Sequence, residues 1–258
     1  RSAMPTLILD NQAIFYFEYR VSLSHYPPLL LIHGAGGQHT NWPPQVRRLG
    51  SARAFAPDLP GHGRSEGPGC RSIAEYAARL LALMDALGVD SFIPVGHSMG
   101  GAAALQLALD APDRVAGLAV ISAGASLPVG GDLIRLVQED FKAAVGAIVT
   151  RAYGPAADDE LKRLGRRMLA QASPDVLLSD YLACRAFDVS ARLGEVGAPA
   201  LVVGGAADRM APPELSVALA ERLPRAELHL VEGAGHMLPV EYPDKLAGLI
   251  RDWLEREG

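Results

Sequence analysis

Hydrophobic positions along the chain form short continuous runs that alternate with longer stretches of helical period. Leu29-Leu-Leu-Ile32, Phe92 to Val95, Gly117 to Ser122 and Pro199 to Gly204 are apolar almost throughout, the pattern of strands buried on both faces of a sheet. Ala52 to Ala56 and Glu227 to Val231 read as two further strands. Thr6 to Asp10 and Ile14 to Arg20, separated by Asn11-Gln12, predict an antiparallel hairpin at the sheet edge. Between the strands, Arg71 to Leu87 places apolar residues at Ile73, Ala77, Leu80, Leu81, Met84 and Leu87, a helical period that Gly88 stops. Helices are also predicted over Thr40 to Leu49, with Pro43 or Pro44 in the first turn, from Met99 to about Asp110, over Pro213 to Leu223 and over Pro243 to Glu257. Repeated strand-helix alternation predicts an α/β fold whose mainly parallel sheet is covered by helices through right-handed crossovers.

One region breaks the rhythm. Roughly 75 residues lie between the strand ending near Ser122 and the one beginning near Pro199, far more than a crossover needs. They contain no strand-like run, only helical patterns over Asp132 to Tyr153, Asp158 to Gln171 and Pro174 to Ala186. Residues 127–193 therefore read as a helical cap inserted after the sixth strand into a core made of residues 1–126 and 194–258.

Composition narrows the class without choosing a function. At 258 residues the chain has the length of one α/β domain with an insertion, and a formal charge of −5 without basic blocks points to neither nucleic acid nor an anionic membrane. No apolar run approaches the roughly 20 residues of a membrane helix. Cys70 and Cys184 lie far apart without metal-ligand spacing, which suits a reducing cytoplasm and argues against a disulfide framework or zinc site. Arg1-Ser-Ala-Met4 shows no secretory pattern, and Met4 reads as the natural start.

Chemistry concentrates where strands end. Gly96-His-Ser98-Met-Gly100 joins a buried strand to a helix, a spacing that demands a turn too sharp for a Cβ on either flank and lifts the Ser98 hydroxyl clear of the sheet. The helix beginning at Met99 aims its free N–H groups at any negative charge forming there. A serine needs a histidine base oriented by a carboxylate. Two later strand ends supply candidates: Gly204-Gly-Ala-Ala-Asp208 and Glu232-Gly-Ala-Gly-His236. Ile121-Ser-Ala-Gly124, at the other plausible position for the acid, carries no carboxylate. His33-Gly-Ala-Gly-Gly37 is a glycine-rich strand end without the lysine of a phosphate loop or the spacing of a dinucleotide site.

Taken together, His33-Gly-Ala-Gly-Gly37, Asp58-Leu-Pro-Gly-His-Gly-Arg-Ser65, Gly96-His-Ser-Met-Gly-Gly101, Gly205-Ala-Ala-Asp208 and Gly235-His236 resemble, in order, the motifs of the α/β-hydrolase superfamily, in particular its compact, capped esterase- and lactonase-like members. The resemblance spans nearly the whole chain. It implies an eight-stranded sheet with Ser98 as nucleophile, His236 as base and Asp208 as orienting acid, and an oxyanion hole formed by the backbone N–H groups of Ala35 and Met99. It also implies acyl-enzyme hydrolysis of a small hydrophobic ester or lactone, with no metal or organic cofactor. Gly34, Met210, Met237 and Leu238 are the expected substrate contacts, Met99 belongs to the same apolar set, and Phe141, Tyr153, Tyr181 and Phe187 are available from the cap.

The remaining histidines read as structural. His33 and His62 sit in glycine turns where they bond backbone, His97 is a buried neighbour, and His25, His39 and His229 offer no partner. Arg64-Ser65 reads as a turn that braces the fold, and Arg209 as a surface or supporting residue. Relatives in the same superfamily supply rivals. Carbon-carbon hydrolases of ring-cleavage products commonly carry Asn and Trp where His97 and Met237 stand here, although Arg185 offers a cap cation for a carboxylate. Dehalogenases and epoxide hydrolases place an aspartate at the Ser98 position, and proline aminopeptidases differ at the elbow. Non-hydrolytic lyases, cofactor-free oxygenases and ligand receptors are built on the same fold and stand as rivals too.

Overall fold

Asp10 and Asn11, with φ of 48° and 62°, make the tight turn between strands β1 (Thr6–Leu9) and β2 (Gln12–Tyr19), the backbone that a two-residue hairpin requires. The structure is a computed structural model that describes residues 5–21, 24, 26–50 and 52–257; Arg1 to Met4, including the expected start, and His25 lie outside the described residues. Six more strands complete the set: β3 (Leu29–Ile32), β4 (Ala54–Pro57), β5 (Ile93–His97), β6 (Leu118–Ile121), β7 (Ala200–Gly205) and β8 (Ala226–Val231). They form one sheet in the order β1-β2-β4-β3-β5-β6-β7-β8. The pairs β1 with β2 and β2 with β4 are antiparallel, and the other five pairs are parallel. The eight-stranded, mainly parallel α/β architecture is thus the one expected.

Strand order reverses at β3. The chain steps from β3 out to β4, then crosses back to β5 and continues to β8. At such a switch the connections leave the carboxyl ends in opposite directions and open a crevice, where α/β sheets place their sites. The loops after β3 and β5 flank it.

The central strands are apolar on both faces because helices cover both. Leu30, Ile32, Leu118, Val120 and Val202 pack with α2 (Ile73–Ala86), α3 (Met99–Asp110) and α8 (Pro213–Arg222). Leu29, Leu31, Ala119, Ile121, Leu201 and Val203 face the opposite way, toward α1 (Pro44–Arg47) and α10 (Pro243–Glu257), whose Trp253 is nearly fully buried. The helix expected over Thr40 to Leu49 is shorter, because Pro44 holds Pro43 extended (ψ 159°) and helix starts only at Pro44.

Between β6 and β7 the chain forms four helices, α4 (Gly131–Glu139), α5 (Phe141–Ala152), α6 (Asp159–Leu169) and α7 (Pro174–Ala186). One helix was expected over Asp132 to Tyr153. Asp140 divides it: with φ −148° and ψ 85°, its side chain accepts the Ala143 N–H and caps α5. α4, α5 and α7 share a core of Ile134, Val137, Ala144, Ile148, Leu177 and Tyr181. The insertion is also stitched to the body. Met237 N–H donates to Ala152 O at 3.0 Å, and Glu241 Oε2, from α9 (Leu238–Glu241), accepts from Gly154 and Gly235.

Candidate active site

Ser98, directly after β5, has φ 55° and ψ −118°, a left-handed backbone that costs a side-chain-bearing residue on the order of 1–3 kcal/mol. Packing enforces it. A Cβ on Gly96 would run into the Gly100 carbonyl, and one on Gly100 into the carbonyls of Ile32 and His33. Ser98 N–H donates to Ile121 O at 2.9 Å, while Gly101 and Ala102 N–H donate back to Ser98 O at 2.8 and 3.1 Å. Strand β6 thus fixes one side of the elbow and α3 the other.

Loops after β7 and β8 bring two more groups to the same edge. His236 Nε2 lies 2.9 Å from Ser98 Oγ, and His236 Nδ1 lies 2.8 Å from Asp208 Oδ2. Asp208 Oδ1 accepts from Met210 and Ala211 N–H at 2.8 and 2.9 Å. Burial alone would raise the Asp208 carboxyl, but the His236 ring and those two N–H groups outweigh it and hold it below its ordinary value. An ionised Asp208 accepts a hydrogen bond from Nδ1–H, which keeps the ring proton there and leaves the Nε2 lone pair facing the hydroxyl.

The β3 loop completes the edge. Gly34 packs so closely that a Cβ on it would sit 3.2 Å from Ser98 Cβ and from His97 Nδ1. Its carbonyl accepts from His33 Nδ1 at 2.8 Å and Gly37 N–H at 3.0 Å. Since a trans peptide carries C=O and N–H on opposite edges, Ala35 N–H points the other way. Among the described residues, neither Ala35 N–H nor Met99 N–H, at the first turn of α3, has an acceptor within the protein.

Space opens on both sides of Ser98. One arm, under α5 and α6, is lined by Ala35, Tyr153, Leu161, Met168, Met210 and Met237; the other, toward α4, by Leu127, Val129, Leu133, Arg151, Arg209 and Leu215. Of the expected substrate contacts, Gly34, Met210 and Met237 line the first arm. Leu238 does not: it is the first residue of α9 and is fully buried under the sheet with Leu246 and Ile250. The Met99 side chain and Phe187 belong to the core, Phe141 packs inside the insertion, and Tyr153 and Tyr181 reach the cavity. Arg185 is exposed beside Gly131 and lines neither arm. Arg209 is exposed as well and donates to Thr150 O of α5.

The other histidines divide by charge state. His97 Nε2 donates to the His236 carbonyl at 2.7 Å, and burial together with the His236 ring pushes His97 down to about 3. His33 accepts from Leu59 N–H and donates to Gly34 O, so it is neutral; burial and the neighbouring His62 charge push it down to about 4. His62 bonds backbone as expected, at Pro60 O, and its Nε2 also meets Asp180 Oδ2 at 2.8 Å, a carboxylate that outweighs burial to raise its pKa. His39 and His229 also have partners, Asp58 and Glu227. Ser65 and Arg64 brace the Asp58 turn as expected, through Ser65 Oγ to Asp58 O and Arg64 N–H to Asp58 Oδ2.

These states fix a stability profile. Below about pH 6.5 the unfolded chain protonates at His33 and His97 while the folded one does not, so stability falls by about 1.4 kcal/mol per pH unit for each. His62 works in the opposite sense: its contribution is complete below about pH 6.5 and is lost as pH rises through its raised folded value. The melting temperature is expected to peak near pH 6.5 and fall on both sides. A scan from pH 4.5 to 9 that finds a flat plateau contradicts these assignments.

Sequence reasoning missed Asp180, although the signal was present. Val176, Leu177, Tyr181 and Cys184 form the buried stripe of α7, and Asp180 is a lone carboxylate within that stripe. It also missed Ile148, Leu161, Leu164 and Met168, which line the first arm and depend on how the insertion folds over the sheet. Among the described residues, no group of three or more His, Cys, Asp or Glu could hold a metal ion, and no helix is long and apolar enough to cross a membrane.

Comparison with known proteins agrees with the fold. A family model described as alpha/beta hydrolase fold matches residues 27–243. The chain is 33% identical over 233 residues to a putative carbamate hydrolase, RutD, of Agrobacterium fabrum, covering 84% of this chain and 89% of the relative. It is 29% identical over 257 residues to 2-hydroxy-6-oxo-6-phenylhexa-2,4-dienoate hydrolase of Burkholderia cepacia, covering 88% and 87%. A thermophilic esterase from Thermogutta terrifontis shares the architecture with a TM-score of 0.85 at 27% identity, over 95% of this chain and 94% of that one. With a family model spanning most of its length and a sheet wound to the same plan, this chain belongs to the α/β-hydrolase family.

Proposed function

We propose that the protein is a serine hydrolase that cleaves small, largely hydrophobic carboxylic esters or lactones through an acyl-enzyme. The observation that carries this reading is the hydrogen-bonded series Ser98 Oγ, His236, Asp208 at the meeting point of two mainly apolar arms. Ser98 Oγ attacks the acyl carbon as its proton passes to His236 Nε2, and Asp208 stabilises the imidazolium through Nδ1. The carbonyl oxygen takes up the negative charge between the unpartnered N–H groups of Ala35 and Met99. His236 then hands its proton to the leaving oxygen, the acyl-enzyme forms, and water activated by the same histidine releases the acid. The insertion 127–193 serves as a cap that shapes the acyl arm through Tyr153, Leu161 and Met168.

A carbamate, the bond named for the Agrobacterium relative, also presents an acyl carbon and fits the same steps. The carbon-carbon reading needs a cation for a substrate carboxylate; the cap arginine considered for it, Arg185, stands away from both arms, and the cations that line the second arm are Arg151 and Arg209. A p-nitrophenyl ester series from acetate to dodecanoate tests the reading. The expected result is turnover whose kcat/KM rises from acetate to a medium chain, as the Met and Leu side chains of the arm bury added methylenes at about 0.8 kcal/mol each. Turnover at the background rate for every ester and for a lactone series contradicts it.

A further inference from the structure

Asp180 is wholly buried, and it belongs to the insertion although all three of its hydrogen-bond donors belong to the body of the protein. Oδ1 accepts the Tyr76 hydroxyl at 2.5 Å, and Oδ2 accepts both His62 Nε2 at 2.8 Å and the Gly36 backbone N–H at 2.8 Å. His62 Nδ1 faces Pro60 O at 3.0 Å, so both ring nitrogens face acceptors and the ring satisfies them only as an imidazolium. The side chain thus accepts from three donors and joins α7 to α2 and to two loops of the sheet's carboxyl edge.

One of those donors adjoins the reaction. Gly36 follows Ala35 directly and is held at φ 63°, in a loop where Gly34, Gly36 and Gly37 leave the backbone free to rotate. His33 and Gly37 fix the peptide before Ala35 through the Gly34 carbonyl, and Asp180 fixes the peptide after it through Gly36 N–H. Ala35 N–H is thus aimed by anchors on both sides, and one of them arrives only when the insertion docks.

We propose that Asp180 is a positioning residue for the oxyanion hole: by holding Gly36 N–H it sets the direction of Ala35 N–H and couples docking of the cap to stabilisation of the developing oxyanion. This rests on the serine-hydrolase reading. Because a misaimed donor is felt when charge develops and less when substrate binds, the loss falls on kcat rather than KM.

The test compares Asp180→Ala, Asp180→Asn and Val137→Ala, the last a cavity in the insertion's own core, using a p-nitrophenyl ester with active-site titration and melting curves. Asp180→Ala is expected to lower kcat about 100-fold with KM within about threefold, the scale of losing one oxyanion donor. Asp180→Asn, whose amide oxygen can still accept Gly36 N–H, is expected to recover part of this and stand about 10-fold below wild type. Val137→Ala lowers the melting temperature and leaves kcat per titrated site within about twofold. Should Asp180→Ala fail to fold, the 10-fold loss in Asp180→Asn carries the test. The proposal is overturned by kcat within twofold of wild type in Asp180→Asn, by an Asn variant no better than a folded Ala variant, or by an equal loss in Val137→Ala. Absence of turnover in the wild type overturns the hydrolase reading instead, and with it this inference.

Discussion

Ser98→Ala is expected to lower kcat for a medium-chain p-nitrophenyl ester by about 10⁶-fold, leaving only the residue of catalysis that binding and the oxyanion donors supply. In the proposed reaction, losing the nucleophile alone costs about as much as losing the whole set, because there His236 and Asp208 act only through the Ser98 oxygen. The fold should survive. The elbow is enforced by backbone contacts at Gly96 and Gly100 and by the Ser98 N–H and C=O bonds, none of which uses the hydroxyl. Alanine at φ 55° carries the same backbone strain as serine, so near-UV spectra and melting temperature are expected to stay close to wild type. Substrate should still bind, since the two arms are untouched. A folded Ser98→Ala protein with more than about one hundredth of wild-type kcat would assign the chemistry to another group.

The second large effect is at the acid. Asp208→Asn is expected to reduce kcat by about 10⁴-fold with KM little changed. The reason lies in which oxygen is held. Oδ1 accepts two backbone N–H groups, from Met210 and Ala211, so an asparagine there must keep its carbonyl oxygen at that place and turn its NH₂ toward His236 Nδ1. Nδ1 then becomes the acceptor and the ring proton moves to Nε2, where it faces Ser98 Oγ. A histidine in that tautomer cannot take the serine's proton. Steady-state kinetics with melting curves check this, and a loss below about 10-fold would mean that Asp208 does not set the tautomer.

What the sequence makes legible depends on what each residue relies on. Ser98, Asp208 and His236 each follow the carboxyl end of a strand, and in a parallel sheet all strands end on one edge, so glycine spacing and apolar runs suffice to bring the three together. The β3 loop proposed to form the oxyanion hole is placed by its motif, while the reason it faces Ser98, the two donors on the Gly34 carbonyl, depends on a histidine tautomer and a turn that only the folded structure reveals. Leu238 is misread because proximity to His236 in sequence says nothing about the side on which α9 buries its first residue. The break at Asp140 is readable as a cap, but periodicity on both sides of it masks the interruption. The insertion is hardest to read. Four amphipathic helices can pack in several ways, and the cavity residues Leu161 and Met168, like the reach of Asp180 across to Gly36, depend on which packing is adopted.

Activation of the Ser98 hydroxyl by His236, on which every step of the proposed reaction depends, is tested most directly with a fluorophosphonate. Incubation is followed by intact-mass and peptide mass spectrometry. The expected result is one phosphonyl group per chain, carried on Ser98, formed in step with loss of esterase activity and strongly slowed in His236→Ala. An intact Ser98 in fully inhibited protein, or an adduct on another residue, would contradict it.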